Sequence, residues 1–384
     1  MIPLVKDTIS KHEIDRLIGW LKTYPHLTKG DLTIQYEAEW SKSLGCKYSV
    51  FVNSGSSANL LMLYSLMETG KIKRGDKVVV PAVSWSTDLA PVIQLGLSPI
   101  LCDCNLRDLS VDLGHLEQII KSHNPKVLLL VSVLGLVPDM KQIVNLCDKH
   151  DIVLLEDACE SLGSMYNGKT IGTFGLMSSF STYFGHHLST IEGGMVCTDD
   201  RGIYNVLKSL RSHGWDRDMD SDFQKTLRQK YNVSAFESLY KFYSYGFNVR
   251  ATDLQAFLGI GQLKKLKIIT KERNKNYNLY NEYLKNDYWM PPKSSDLMYV
   301  SNFAYPVIVP DRERLVEELK NSQIAVRPLI SGSHGRQPFW IRDNGVTRLK
   351  NADIVNDNGL YLPNNHELEE EDIQLICNVV RRHF

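Results

Sequence analysis

The sequence lacks an excess of charge of either sign. Lysine and arginine together number 44, and aspartate and glutamate also number 44, so the formal net charge is zero. Without a bulk positive field, a protein does not attract nucleic acid or an anionic membrane, and an anionic ligand must be held by local groups. We therefore expect neither nucleic acid nor a membrane among the partners.

Long hydrophobic runs are also missing. The longest apolar run, 127–137, is interrupted by Ser132 and Gly135, and a membrane helix needs about 20 apolar residues. The first residues, MIPLVKDTISKHE, contain no basic stretch followed by an apolar one, which a signal peptide would have. We predict a cytoplasmic protein.

Paired cysteines are scarce. The seven cysteines are scattered, apart from Cys102 and Cys104, which form a C-x-C pair in a strand-like stretch. A metal or iron–sulfur site is one interpretation of that pair, but no second close pair accompanies it. We favour two buried thiols and expect no metal.

What the sequence does contain is a regular alternation of strands and helices. Helical segments such as 57–68 and 140–150 separate short apolar runs, most of them nearly continuously apolar, as strands covered on both faces are. The pattern predicts an α/β domain with a mostly parallel, seven-stranded sheet. The predicted strands are 48–54, 77–82, 98–104, 126–135, 152–158, 177–182 and 194–199.

The character changes after about residue 200. The stretch 216–247 is polar and rich in aromatic residues, without a clear strand, and we interpret it as a long loop, which in a compact domain is usually either functional or disordered. One or two long helices follow over 254–283. We divide the chain into a large α/β domain, 1–255, and a region of long helix and small α+β domain, 256–384. The predicted elements of that small domain are strands 303–309 and 325–330 and helices 312–322 and 368–384.

Two segments lie where strands end. Residues 53–59, NSGSSAN, stand at a strand-to-helix junction, where helix N–H groups and the helix dipole can hold a phosphate; a tight turn with a serine cap is the alternative. Residues 156–160, EDACE, follow a very apolar strand. Acids at such a carboxyl end point into the ligand crevice of α/β folds, unless they are simply solvated.

A third segment, 181–194, carries adjacent histidines, His186 and His187, before the turn Glu192-Gly193-Gly194. Adjacent histidines do not share a face of a helix or strand. We therefore disfavour a metal site here.

Together the three segments resemble the DegT/DnrJ/EryC1/StrS family of sugar aminotransferases and dehydratases. PAVSWST (81–87), NVR (248–250) and Leu362-Pro363 add to the resemblance, which covers nearly the whole chain. It implies the fold type I of pyridoxal-phosphate (PLP) transferases, which is like that of aspartate aminotransferase.

One position departs from the family's aminotransferases. They carry a lysine eight residues before the second glycine of the turn, where this chain has His186, and no lysine lies between Lys169 and Lys208. The histidine resembles that of family members that remove the C3 hydroxyl from a nucleotide-linked 4-keto-6-deoxyhexose. For such a substrate, here expected to be GDP-linked, the resemblance implies noncovalent PLP or its amine form, PMP, with His186 as catalytic base and L-glutamate regenerating PMP.

The resemblance also implies roles for the cofactor-binding residues. Gly55, Ser56 and Ser181 would hold the phosphate, Trp85 would stack on the ring, and Asp157 would pair with the ring nitrogen. Two further residues complete the implied set: Glu160 near the 3-hydroxyl, and Asn248, which would reach a phosphate in the neighbouring subunit of an obligatory homodimer.

For the substrates we single out a few cationic and aromatic neighbours. Arg250 is a candidate for the glutamate carboxylate, Arg217 or Arg327 for the diphosphate, and His213 for the sugar pocket. A structural ion pair for Arg250, and packing or surface roles for the other three, are the alternatives. Related iron–sulfur dehydratases need clustered C-terminal cysteines, but only Cys377 lies beyond Cys197, so we expect no iron–sulfur partner.

Two other functions remain open. A sugar 4-aminotransferase would transfer the amino group to the product. A non-catalytic family member would have lost its lysine and would have no activity. The cofactor-binding residues implied by the resemblance are retained, which argues against a non-catalytic protein.

Overall fold

The computed structural model describes residues 1–284 and 289–383. Its strands, in chain order, are β1 (Tyr48–Val52), β2 (Lys77–Pro81), β3 (Ser98–Cys102), β4 (Val127–Val131), β5 (Val153–Asp157), β6 (Met165–Tyr166), β7 (Lys169–Thr170), β8 (Met177–Ser181), β9 (Gly194–Thr198), β10 (Met298–Tyr299), β11 (Tyr305–Ile308), β12 (Arg327–Pro328) and β13 (Gly359–Leu362). The helices are α1 (Lys11–Leu21), α2 (Asp31–Leu44), α3 (Gly55–Glu68), α4 (Ser86–Gln94), α5 (Leu113–His123), α6 (Met140–Lys149), α7 (Arg201–Arg211), α8 (Ser221–Lys230), α9 (Asp253–Leu263), α10 (Leu266–Tyr283), α11 (Arg312–Asn321), α12 (Pro338–Asn344), α13 (Lys350–Asn358) and α14 (Glu370–Val380).

A seven-stranded sheet organises the first two hundred residues, in the order β1-β9-β8-β5-β4-β2-β3. Strand β9 runs antiparallel to both of its neighbours, and the other pairs are parallel. All seven predicted strands are confirmed. Every residue of β4 is buried, because helices cover both faces of a parallel sheet.

The parallel strands β1, β2, β4, β5 and β8 all end at the same edge of this sheet. Ligands of open α/β folds bind outside this carboxyl edge. The segments that follow β1, β5 and β8 are the three that the sequence singled out, so the topology brings them together.

The C-terminal part is built around a small antiparallel sheet in the order β11-β13-β12. Strands β11 and β12 lie inside predicted strand segments, and the helical stretch 254–283 contains two helices, α9 and α10. The central strand β13 was not predicted, nor was the small sheet of β10, β6 and β7. The predicted domain boundary at 255/256 falls within α9, and the division stays a prediction; the end of the predicted terminal helix, Phe384, lies outside the described residues.

The stretch 216–247 is not one irregular loop, as the sequence suggested, because it contains α8. None of the residues of α8 is buried, and only Phe223 and Leu227 are apolar, so the apolar stripe of this helix is too short for a pattern search to detect. It is held by ion pairs instead: Arg228 Nε lies 2.6 Å from Asp216 Oδ2, and Arg201 lies 2.8 Å from Asp220 and Asp222.

Two further expectations can be compared with the fold. Both Cys102 and Cys104 are buried free thiols, as favoured from the sequence. Within the described part of the chain, no helix has the length and apolar character needed to cross a bilayer.

Candidate active site

A cavity of about 680 Å³ opens at the carboxyl edge of the sheet. Its wall combines the segments after β1, β2, β5 and β8 with the N-terminal residues and the small C-terminal sheet. Eight of the predicted site residues line it: Gly55, Ser56, Trp85, Asp157, Glu160, Ser181, His186 and Arg327.

The junction between β1 and α3 forms one end of the cavity. Ser54 caps α3, and its Oγ accepts a hydrogen bond from the Ser57 N–H at 3.1 Å. Gly55 and Ser56 occupy the first turn, where a helix offers no acceptor for its N–H groups. A Cβ on Gly55 would lie 2.8 Å from Cys159 Sγ and 2.9 Å from Ser181 Cβ. Glycine is therefore required for α3 to start this close to the ends of β5 and β8, and the result is an anion cradle.

Trp85 provides an aromatic plane at the end of β2. It lies directly before α4, and its side chain is 58% exposed although it lines the cavity. A large indole left this open is suited to stacking on a planar ligand.

Asp157, the last residue of β5, presents a carboxylate to the same space. Its Oδ1 accepts from the Cys159 N–H at 2.8 Å and its Oδ2 from Asn59 Nδ2 at 2.5 Å. Asn59 also donates to Asp88 Oδ1 at 3.0 Å. Burial, followed by the charge of Asp157, raises the pKa of Asp88 well above its usual value.

Sequence reasoning assigned no role to Asp88 or Asn59. Asp88 stands three residues after Trp85 and accepts from its N–H, which is ordinary helix-capping spacing. Only the fold brings it against Asp157.

His186 lies on the loop 182–193 that joins β8 to β9. The loop is closed by Thr182 N–H to Gly193 O at 2.9 Å, Thr190 N–H to Thr182 O at 2.8 Å, and the two threonine hydroxyls at 2.5 Å. These contacts lie at the base of the loop and fix the backbone on both sides of His186.

The imidazole of His186 faces the cavity and stacks at a tilt on Phe303, with the ring centres 5.1 Å apart. Its Nδ1 is buried and has no hydrogen-bond partner among the described residues. Burial lowers the pKa of His186 to about 4, against the opposing charge of Asp157. The ring is therefore neutral at physiological pH and free to accept a proton.

The neighbouring His187 turns the other way. It is fully buried, and its Nε2 lies 3.0 Å from the carbonyl oxygen of Ser301. It packs behind the site and does not line the cavity.

Glu160 and Arg327 lie on the side of the cavity towards the small sheet. A carboxylate oxygen of Glu160 accepts from the Leu134 N–H at 2.7 Å. Burial raises the pKa of Glu160 to about 8, and the charge of Asp157 adds to the effect. Arg327 belongs to β12 and is exposed, so its guanidinium can meet an anion entering from solvent.

Four predicted site residues do not line this cavity: Asn248, His213, Arg217 and Arg250. Three of them gather around Trp215, with the His213 ring 5.1 Å from the indole centre and the guanidinium carbons of Arg217 and Arg250 at 4.1 and 5.7 Å. Asn248 is exposed beside them and forms a bridge with Ser212. These four residues therefore form a second group centred on Trp215, the Trp215 cluster, outside the wall of the cavity.

A carboxyl-edge cavity with an anion cradle, an aromatic plane and a carboxylate, on a seven-stranded sheet with one antiparallel strand, defines the PLP-dependent transferase class of the aspartate aminotransferase fold. Residues 7–381 match the model of the DegT/DnrJ/EryC1/StrS aminotransferase family. The chain belongs to this family.

Its relatives include proteins with a named activity. The GDP-4-keto-6-deoxy-D-mannose 3-dehydratase of Yersinia pseudotuberculosis is 36% identical over 391 aligned residues, covering 99% of this chain and 98% of that protein. The Escherichia coli GDP-4-keto-6-deoxy-D-mannose 3-dehydratase with bound hydrated PLP superposes with a TM-score of 0.89 at 32% identity, covering 99% of each chain. A structure of that kind of enzyme with a trapped PLP–glutamate geminal diamine also has a TM-score of 0.89 at 32% identity, covering 99% of this chain and 100% of the other.

The residues present fit the cofactor. The first turn of α3 and the Ser181 hydroxyl suit its phosphate, Trp85 its ring, and Asp157 a protonated ring nitrogen. None of the described residues that line the cavity is a lysine.

Proposed function

We propose that this protein is a PLP/PMP-dependent 3-dehydratase that removes the C3 hydroxyl of a nucleotide-linked 4-keto-6-deoxyhexose. GDP-4-keto-6-deoxy-D-mannose is the proposed substrate, and L-glutamate the proposed amino donor. The observation that carries the proposal is His186: a neutral imidazole faces a cavity that has no lysine in its described wall. The 36% identity to an enzyme named for this reaction supports the choice of substrate.

The residues that line the cavity can be assigned to the parts of the cofactor that they would bind. Gly55, Ser56 and Ser181 would hold the phosphate, Trp85 would cover the ring, and Asp157 would face the ring nitrogen, with Glu160 towards the 3-hydroxyl. When bound, PMP supplies an amino group that condenses with the C4 ketone and a ring that accepts electrons.

His186 moves the proton in this scheme. Its neutral ring can accept a proton as a general base and deliver it to the departing C3 hydroxyl, which leaves as water. Because an imidazole does not form the stable covalent bond to the aldehyde that a lysine amine forms, the cofactor is held by noncovalent contacts.

The overall reaction balances. The sugar loses one oxygen atom, glutamate is oxidised to 2-oxoglutarate, and its nitrogen leaves as ammonia. Glutamate supplies the two electrons, so no iron–sulfur partner is needed.

The Trp215 cluster supports a homodimer with shared active sites. Asn248 is exposed and does not line the cavity, and several large apolar side chains nearby are open to solvent, including Phe236 at 83% and Tyr245 at 89%. Such a patch is typical of a protein interface. A partner seated there would receive Asn248, with His213, Arg217 and Arg250, at the mouth of its cavity.

Arg327 is the predicted arginine that lies in the chain's own cavity. We assign it to an anionic group of the substrates, the diphosphate or the glutamate carboxylate. A 3-deoxy product suits the synthesis of the dideoxysugar colitose for the O-antigen of lipopolysaccharide, and we place that work in the cytoplasm.

One assay tests the proposal. The full-length protein is incubated with PMP, L-glutamate and GDP-4-keto-6-deoxy-D-mannose, with the CDP- and dTDP-linked 4-keto-6-deoxyhexoses in parallel, and the sugars are analysed by mass. A product lighter by one oxygen, together with ammonia, is expected. A 4-amino sugar would identify an aminotransferase, and no turnover of any substrate would support a non-catalytic protein.

A further inference from the structure

Two carboxyl groups meet in the wall of the cavity, those of Asp88 and Asp157. Asp88 is fully buried, and Asp157 is 7% exposed. One amide nitrogen, Asn59 Nδ2, donates to both, at 3.0 Å and 2.5 Å. The Ser179 hydroxyl donates to Asn59 Oδ1 at 2.6 Å, which fixes the amide with its nitrogen towards the acids.

The surroundings do not support two negative charges. The donors that the described residues offer to the two acids are neutral: the Asn59 amide, the N–H groups of Trp85 and Cys159, and the Ser84 hydroxyl. Two carboxylates that share one amide donor, one of them fully buried, do not both ionise at neutral pH, so the pair holds one proton.

The proton belongs on the deeper acid. Asp157 accepts from the Cys159 N–H and is slightly exposed, whereas Asp88 is fully buried. Burial and the charge of Asp157 raise the pKa of Asp88 well above its usual value.

The other titratable groups around the pair are neutral as well. Ser84 Oγ lies 2.9 Å from His334 Nε2, and burial lowers the pKa of His334 to about 4. Burial, aided by the charge of Asp157, raises the pKa of the Cys159 thiol well above its usual value. His186, across the cavity, is neutral for the reason already given.

We infer that Asp88 is a positioning residue: it keeps the single proton of the pair and donates it as a hydrogen bond to Asp157, so that Asp157 alone is anionic. This rests on the proposed function in one respect, namely that Asp157 faces the cofactor's ring nitrogen. A donor on Asp157 lowers the proton affinity of that carboxylate, so the ring nitrogen keeps its proton and the ring stays a strong electron acceptor.

The first test needs no cofactor. The full-length protein, labelled with ¹³C at the aspartate side-chain carboxyl carbons, is examined by NMR at pH 7.5 as wild type, as Asp88→Asn and as Asp148→Asn. Asp148 is exposed on α6 and serves as the matched control. We expect one resonance with the shift of a protonated carboxyl, missing in Asp88→Asn and retained in Asp148→Asn. A wild-type spectrum in which all aspartates are ionised overturns the inference, whether or not the variants fold.

The second test uses PLP labelled with ¹⁵N in the ring, bound to the full-length protein. Asp88→Asn keeps a donor towards Asp157 and should leave the nitrogen protonated, whereas Asp88→Leu should shift its resonance towards neutral pyridine. With the sugar nucleotide, Asp88→Leu should lower kcat about tenfold at little changed KM, and Asp88→Asn should recover most of the loss. An unchanged nitrogen resonance in Asp88→Leu contradicts the inference, whereas failure of wild type to bind PLP contradicts the proposed function and leaves the ¹³C result as the measure of the pair.

Discussion

At the scale of single residues, the protonation states of the cavity are set mainly by burial. His186 loses its charge because imidazolium is poorly solvated there, and Glu160 and Asp88 resist ionisation for the same reason. A neutral base and two neutral acids thus lie around the carboxylate of Asp157. A lysine at position 186 would replace the neutral base by an amine able to bond covalently to the cofactor.

His186→Lys tests that comparison. We expect the variant to bind PLP covalently, as a mass increase after borohydride reduction, and to lose dehydration by a factor of at least about 100, because general acid–base groups contribute roughly that much. The control, His186→Asn, should lose dehydration without the covalent adduct. Dehydration retained in either variant would rule out His186 as the proton carrier.

At the scale of secondary-structure elements, the cavity depends on how closely α3 approaches the ends of β5 and β8. Gly55 permits this approach, and Gly194 permits another, because a Cβ there would lie 2.3 Å from the backbone of Ser54. The glycines therefore set the spacing between the anion cradle and the loop that carries His186.

Gly55→Ala should force Cys159 or Ser181 to move. Overpacking of this kind costs roughly 1–3 kcal/mol, and we expect a lower melting temperature and weaker PLP binding in fluorescence titration. Gly19→Ala, on α1 with open space around its Cβ, is the matched control and should stabilise the protein slightly. Unchanged PLP affinity in Gly55→Ala would show that this close approach does not matter for the cradle.

The sequence alone predicts the elements whose buried residues form a recognisable apolar pattern. The seven central strands are such elements, and so are α3 and α6. Strand β13 and helix α8 were not predicted because the strand is a four-residue GLYL run and the helix has only two apolar residues among ten. Motifs located Trp85, Asp157 and His186, but Asp88 gains its meaning only through contact with Asp157, which no local pattern encodes.

At the scale of the whole molecule, buried neutral histidines couple stability to pH. Burial lowers the pKa of His186 and of His334 to about 4 and that of His187 well below its usual value. The unfolded chain binds these protons near pH 6.5 and the folded chain does not. The stability that these three histidines contribute is therefore fully present above pH 6.5 and is lost as the pH drops towards 4.

As the pH falls below 6.5, each such histidine is expected to lower the free energy of unfolding by roughly 1.4 kcal/mol per pH unit. It is measured as the free energy of unfolding in urea between pH 7 and pH 5. His334→Gln should reduce the slope by about one histidine's share, while the exposed His12→Asn should not. Parallel slopes for wild type and His334→Gln would contradict the assignment of a neutral, buried His334.

Shared active sites make a further prediction for the assembly. His186→Asn and Asn248→Ala should each be nearly inactive, but subunits mixed by gentle denaturation and refolding should recover about one quarter of wild-type activity, since half of the dimers are mixed and each holds one intact site. Mixing His186→Asn with itself is the control. If the mixture stays inactive, Asn248 serves its own chain's cavity or none.

The closed loop between β8 and β9 has a consequence for the history of the family. The contacts that close the loop are made by threonine hydroxyls, backbone amides and glycines at its base, whereas the imidazole of His186 lies away from them. None of these closing contacts involves the side chain at position 186. Replacing the imidazole by an amine would leave these closing contacts in place, so a step between the two side chains in the history of the family would not have required a change in the frame.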